Sequence, residues 1–259
     1  MSRKLAETFD TQARLYNTAR PQYPDALFET LVKFTSLPMD AALLEIGAGT
    51  GQATVPMARR GYRIVALEPG VHLAAVAKQN LASYPNAHVA VQTFEDAQLP
   101  PHTFDLVYSA TAFHWVRPEV KFTKTRHILK PGGHLAIIHT HHVSDEQGDA
   151  YFHASRSIHE KYFPNQAANH SYMPKASAIQ PPVFDHALFK PILFTYLPVV
   201  IRYSAKRYAE LQHTYSPVLA LPSHQRHEYL EAVERLIHGS FGGSIDKHFA
   251  MSLAIAQAI

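Results

Sequence analysis

An α/β fold, Rossmann-like with a mostly parallel seven-stranded sheet and helices on both faces, is predicted by three observations. Short apolar runs alternate with helical segments between residues 41 and 142. Three glycines, Gly47, Gly49 and Gly51, follow the first of those runs. An acid closes the second run, Glu68, 23 residues after the acid Glu45 that precedes the glycines. Near-continuous apolar strands alternating with helices mark a parallel sheet covered on both sides. Ligands of such sheets bind beyond the carboxyl ends of the strands, which is where the glycines fall.

The elements follow in order. Residues 5–35 carry helical spacing through Phe9, Ala13, Tyr16, Leu27, Leu31 and Phe34, interrupted by the prolines of ARPQYP, Ala19–Pro24. Two helices joined by a stiff elbow are expected there. Strands are expected at 41–46, 63–67, 88–93, 104–109 and 133–139, with helices at 52–60, 71–83 and 118–129 between them. After His142 the alternation breaks. Residues 145–180 read as helical and then irregular, 189–200 as strand, 206–215 and 223–238 as helices, and 247–256 as a last strand. This divides one domain, 1–259, into an N-terminal helical lid (1–38), a ligand-binding core (41–142), an insertion over the site (143–185) and C-terminal strands and helices (186–259).

Composition bounds the function. Hydrophobic residues make up 46% of the 259, enough for a full core. With no cysteine, disulfides, thiolate metal sites and a cysteine nucleophile are excluded. The first residues, MSRKLAETFDTQ, lack the apolar stretch of a signal peptide, and no run of about 18 apolar residues exists. A cytoplasmic location without membrane contact is expected. The formal charge of +3 comes from scattered Lys and Arg rather than a basic stripe, so nucleic acid is not an expected partner. Oligomeric state is not encoded in any feature read here.

The glycine turn admits two cofactor readings. A dinucleotide fingerprint places glycines at relative positions one, three and six, and position six here is Gln52. Glu45 also disfavours a pyrophosphate, because a carboxylate repels an anion and attracts a cation. S-adenosylmethionine, with a sulfonium, an ammonium and no phosphate, fits that charge better. A nicotinamide-dependent dehydrogenase and a non-catalytic cofactor-binding protein stay open on the residues alone. G-x-S-x-G and G-x-x-x-x-G-K are both missing from the sequence, so hydrolase and triphosphatase readings have no support.

The pattern E-x-G-x-G-x-G after a first strand resembles the binding motif of class I S-adenosylmethionine-dependent methyltransferases. ALEPG (66–70), TFEDAQLP (93–100), FDLVYSATAFHWV (104–116) and LKPGGHLAI (129–137) resemble further segments of that family in its order. FDTQARLYNTARPQYP near the start and TYSPVLALP (214–222) are similar to a small-molecule subgroup like the trans-aconitate methyltransferases. The resemblance implies methyl transfer to a small-molecule acceptor. It implies a cofactor site of Gly47, Ala48, Gly49, Thr50, Gly51 and Pro69, with Glu68 on the ribose and Glu45 facing the methionine ammonium. Thr93, Phe94 and Glu95 would flank the adenine, and Ala110 would allow close approach at the end of the fourth strand. Tyr16 and Arg20 would close over the cofactor, with Arg20 pairing the methionine carboxylate.

His114 and Trp115 would stand beside the transferred methyl, His114 being the candidate base because an imidazole titrates near neutrality. His139 shares a strand face with His141 and is read as an acceptor-site residue. No acid lies next to HTHH (139–142) to complete a ligand set, so no metal is expected.

Overall fold

The computed structural model describes residues 10, 12–144, 149–164 and 173–259. Parts of the expected lid (1–9 and 11) and of the expected insertion (145–148 and 165–172) lie outside the described residues. The sheet has seven strands: β1 (Ala42–Ile46), β2 (Arg63–Leu67), β3 (Ala87–Ala90), β4 (Phe104–Ala110), β5 (Leu129–His142), β6 (Phe189–Ser204) and β7 (Ser244–Ala258). Their spatial order is β3-β2-β1-β4-β5-β7-β6. The first five run parallel, and β7 pairs antiparallel with both β5 and β6. The strand order therefore departs in opposite directions from β1, with β2 to one side and β4 to the other.

Nine α-helices are described: α1 (Ala13–Ala19), α2 (Asp25–Thr35), α3 (Thr54–Arg59), α4 (Val71–Asn80), α5 (Pro118–Ile128), α6 (Ala150–Tyr162), α7 (Ala205–His213), α8 (Ser216–Leu219) and α9 (Ser223–Ser240). Successive strand residues point to opposite faces, so β1 serves two cores. Leu43 joins Leu27, Phe28, Leu31 and Met57 on one side, and Leu44 and Ile46 join Val107, Leu135 and Ile128 on the other. A third cluster, built on Tyr208, Leu211, Tyr229, Val233 and Ile237, unites α7, α9 and the outer ends of β6 and β7.

Several boundaries differ from the sequence reading. β3 stops at Ala90 and the expected end at Thr93 lies in a turn, where Thr93 Oγ1 receives the Asp96 amide. α3 begins at Thr54 rather than Gln52, because the glycine turn continues further than the motif suggests. β5 starts at Leu129, opposite Phe104 of β4, and reaches His142 because β7 pairs with it from His134 to His142. β6 and β7 are both longer than expected for the same reason: each supplies the other's ladder. β6 is the outer strand, and its Pro191 and Pro198 stand opposite Ala256 and Ala250.

Two contacts set the elements that follow the sheet. Asp149 caps α6, its Oδ1 accepting the Phe152 amide at 2.9 Å and its Oδ2 accepting from Lys247 Nζ at 2.7 Å. Both side chains are almost fully buried, 4% and 2% exposed. At the end of β5, His142 Nε2 and the Tyr215 hydroxyl share a hydrogen bond of 3.0 Å, tying that strand to the start of α8. Desolvation pushes the His142 imidazole down to about 3.

Removing one member of a buried pair leaves an uncompensated charge, which costs about 3–5 kcal/mol. Lys247→Met should therefore lower unfolding stability in urea by that order, whereas Arg59→Ala, which breaks the exposed pair with Asp25, should change it by less than about 1 kcal/mol. Between the ordinary imidazole value of 6.5 and about 3, the unfolded chain binds a proton at His142 that the folded chain refuses. Stability should then be complete above that window and fall as pH drops through it. His142→Gln should flatten the curve of melting temperature against pH between 7 and 4; an unchanged slope would contradict this assignment.

Candidate active site

The turn between β1 and α3 is forced into left-handed backbone. Gly47 has φ +72° and Gly49 φ +58°, a region that residues with a Cβ enter only at a cost. Gly47 has a second reason to be glycine: a Cβ there would lie 2.3 Å from the Cβ of Ala112. The amides of Gly47 and Ala48 both donate to the Leu67 carbonyl, fastening the turn to the end of β2. The turn after β4 is thereby pressed against the turn after β1. Its first residue, Thr111, is itself left-handed (φ +57°), which is unfavourable for a β-branched residue. Two bonds hold it: its amide donates to Ile138 O, and its hydroxyl lies 2.9 Å from the Tyr23 hydroxyl.

A cavity of about 1160 Å³ opens at this junction. Single-ligand pockets commonly span about 300–1,000 Å³, so it has room for two small molecules. Of the residues singled out from the sequence, Tyr16, Arg20, Gly47, Gly49, Glu68, Pro69, Thr93, Phe94, Glu95, Ala110, His114, Trp115 and His139 line it. Glu45, Ala48, Thr50 and Gly51 do not. Glu45 departs most from expectation. It is 1% exposed, inside the sheet, and its Oε2 accepts the Tyr108 hydroxyl at 2.8 Å from the neighbouring strand. Burial pushes its carboxyl up to about 7. The alternation of strand side chains explains this: Glu45 shares a face with Leu43 and is turned toward the core rather than past the strand end. Ala48, Thr50 and Gly51 stand behind the turn, Thr50 and Ala48 being buried.

At the β2–β3 end of the cavity, Glu68 is 6% exposed. Its Oε2 accepts the Gly49 amide at 2.7 Å and its Oε1 the Gly70 amide at 2.8 Å. Desolvation raises its pKa and these two amides oppose the rise. Asp10 accepts the amides of His72 and Leu73 at the start of α4. Thr93 Oγ1 donates to Asp96 at 2.7 Å. Glu95 Oε1 accepts the Arg117 amide at 2.8 Å, which joins the loop after β3 to the loop after β4. Phe94 is 3% exposed and belongs mainly to the core, with only its edge on the wall.

α1 covers this end. Arg20 lies between the rings of Tyr16 and Tyr215, its guanidinium carbon 4.9 and 4.4 Å from their centroids. Arg20 Nη2 donates to Thr214 O at 2.8 Å, while its buried Nε has no partner among the described residues. Arg207 donates to Thr18 O, and Asn80 to Asn17, so α1 is tied to both α7 and α4.

The other end is built of rings. His114 and Trp115 sit in a 3-10 turn (Phe113–Trp115) after β4 with centroids 5.0 Å apart, and His114 lies 5.9 Å from His139 of β5. His139 and His141 do share a face, at 4.6 Å, and His141 Nε2 lies 2.8 Å from Ser252 Oγ. Desolvation pushes the imidazole of His114 down to about 4 and lowers that of His139. No group of three or more metal-binding side chains occurs among the described residues.

The sequence reading missed Asp10, Thr111, His159, Gln212 and Tyr229 as lining residues. Tyr215 lies inside TYSPVLALP, a segment noted for its resemblance but given no role. His159 and Phe163 come from α6 and its end, and Tyr229 from α9, elements whose apolar spacing speaks only of packing.

The model of a family described as methyltransferase domain matches residues 44–137, the span from β1 through most of β5. An uncharacterised methyltransferase from Mycobacterium tuberculosis is 31% identical over 137 residues, 52% of this chain and 53% of that protein. The chain thus spans about half the length of the curated relatives it matches. In fold, a proposed type II methyltransferase from Anaeromyxobacter dehalogenans is similar with a TM-score of 0.62 at 23% identity, over 92% of this chain and 97% of that one. The [4+2]-cyclase SpnF is similar with a TM-score of 0.58 at 15% identity, over 99% and 96%. A cyclase among the likenesses shows that the fold alone does not dictate the reaction. Strand order, glycine turn and family match agree: residues 44–137 are similar to a methyltransferase domain, and the solved methyltransferase structures share the fold.

Proposed function

We propose that the protein transfers a methyl group from S-adenosylmethionine to a small-molecule acceptor held at the ring-lined end of the cavity. The observation that carries this reading is the Glu68 carboxylate. It is buried at the cavity wall, and each of its oxygens has accepted one amide and keeps a lone pair for a ribose hydroxyl. The bare backbone at Gly49 leaves space beside it, since a Cβ there would meet only Tyr16, at 3.7 Å. Arg20 Nε, buried without a partner among the described residues, fits the methionine carboxylate. Thr93 and Glu95 flank the adenine in this arrangement. Glu45 lies inside the sheet with its carboxyl pushed up to about 7, and takes no direct part in holding the ammonium.

The cofactor supplies an activated methyl group on a positively charged sulfur, so the reaction needs no acid to help its leaving group. The protein's contribution is to align the two reactants and exclude water, an effect worth about 7–11 kcal/mol in well-oriented systems. α1 shields the cofactor end through Arg20 and Tyr16. His114 stands where a hydroxyl or amine proton could be taken. Its lowered pKa keeps the ring neutral and able to accept a proton across the neutral range, as a weak base. The narrower resemblance to trans-aconitate methyltransferases rests on 9–24 and 214–222; the described part of the first forms α1 with its elbow, and the second contains α8.

Titration calorimetry with S-adenosylhomocysteine tests the cofactor site. The intact protein should bind it and should give no heat with a nicotinamide dinucleotide. Arg20→Ala should weaken binding about ten- to a hundredfold, the worth of a charge-assisted hydrogen bond; unchanged affinity would remove Arg20 from the site. Gly49→Ala should weaken binding while the melting temperature falls only modestly, because its Cβ meets nothing closer than Tyr16 at 3.7 Å. Gly47→Ala should instead lower the melting temperature markedly, because its Cβ collides with Ala112. Equal effects of the two substitutions on stability would overturn this division of roles.

A further inference from the structure

We infer that the acceptor is a flat conjugated ring carrying a hydroxyl group, methylated on oxygen. The inference rests on the methyl-transfer reading above and adds the chemical class of the second substrate. Two groups of rings face the same cavity from different elements. One is Trp115, His114 and His139, from the loop after β4 and from β5, in mutual contact at 5.0 and 5.9 Å. The other is His159, Phe163 and Tyr229, from α6 and α9, with centroids 5.1 to 6.1 Å apart. Among the described residues no ring pair bridges the two groups. They form two walls of one space, and ring faces favour offset or edge contacts with another flat ring.

Charge selects among flat ligands. The acids lining the cavity, Asp10, Glu68, Glu95 and Asp96, all belong to the cofactor end. The described residues of the ring-lined end include no acid. Its nearest fixed charges are Lys121 beside His114, Arg20 toward the cofactor end and, behind the wall, the Lys247–Asp149 pair, whose charges cancel. A protonated amine would leave water there for a site with a neighbouring cation and no counter-charge. A hydroxyl finds partners instead. Gln212 lines the space with its Oε1 already accepting from Tyr229, which leaves its amide group as a donor, and the neutral imidazoles of His114 and His139 accept.

In the transfer, a lone pair of the acceptor oxygen forms the new O–C bond as the C–S bond breaks. The electrons of that bond stay on sulfur, giving a neutral thioether. The hydroxyl proton passes to the free ring nitrogen of His114. Bond formation makes that oxygen strongly acidic, so a weakly basic imidazole suffices.

The test uses the protein saturated with S-adenosylhomocysteine, whose own binding is measured first so that failure of the cofactor reading shows separately. A panel of one- and two-ring phenols is then titrated by calorimetry beside their ring-saturated alcohols and the matching amines. At least one phenol should bind ten or more times tighter than its saturated partner and its amine. With S-adenosylmethionine it should yield the methyl ether by mass spectrometry. Phe163→Leu and Trp115→Leu should each erase most of that preference while leaving S-adenosylhomocysteine affinity within about twofold. Saturated alcohols or amines binding as well as phenols, or no phenol in the panel binding and being methylated, would overturn the inference. So would a preference that survives both substitutions.

Discussion

The near-contact of Gly47 with Ala112 governs the rest of this molecule. The turn after β1 and the turn after β4 abut so closely that a single methyl group at position 47 would have no room. That closeness is possible only because one partner is glycine in left-handed backbone and the other is alanine. It fixes the mouth of the sheet at the point where the strand order departs in two directions from β1. The parts of the cavity wall that come from the first four strands are hung from that mouth. Glu68 reaches it from β2, the 93–96 turn from β3, and the ring-bearing loop from β4. Thr111 carries the strain of this arrangement and is restrained by two hydrogen bonds rather than by its own preference.

Most of the core was readable because its signals are local. The β1–glycine–α3 passage, the acid ending β2 and the apolar runs of β4 and β5 each depend on residues close together in the chain. The limits of reading are equally physical. Glu45 looks like a ligand-facing acid because it adjoins the glycines, yet strand alternation turns it inward to Tyr108. The lengths of β5, β6 and β7 depend on what pairs with them, which no single run reveals. His159 and Tyr229 meet at the cavity through the packing of α6 on α9, a contact with a separation of some seventy residues that leaves no trace in spacing. Asp149 and Lys247 are two charged residues in a sequence full of them, and only folding shows that they are buried together.

The cavity divides its electrostatic labour by element of origin. Carboxylates arrive from the helix start and loops on the β2–β3 side, and neutral nitrogen rings from the β4–β5 side and the C-terminal helices. Desolvation keeps those rings uncharged. On the proposed reading, a cationic cosubstrate and an uncharged or weakly acidic partner would find different surroundings without a wall between them. The buried Lys247–Asp149 pair works behind this surface. It holds the first turn of α6 against β7, and so holds the helix from which His159 projects.

The prolines of β6 bear on how the protein behaves at high concentration. Pro191 and Pro198 stand opposite residues of β7 separated by an even interval, Ala256 and Ala250, so both offer the same side of the strand to the outside. An imino nitrogen has no hydrogen to donate. A foreign strand seeking to extend the sheet would meet two vacancies in the row of donors it needs, with the exposed side chains of Lys190 and Arg202 near either limit. The β6 edge is thus made a poor template for a further strand, which guards a long outermost strand against templated self-association.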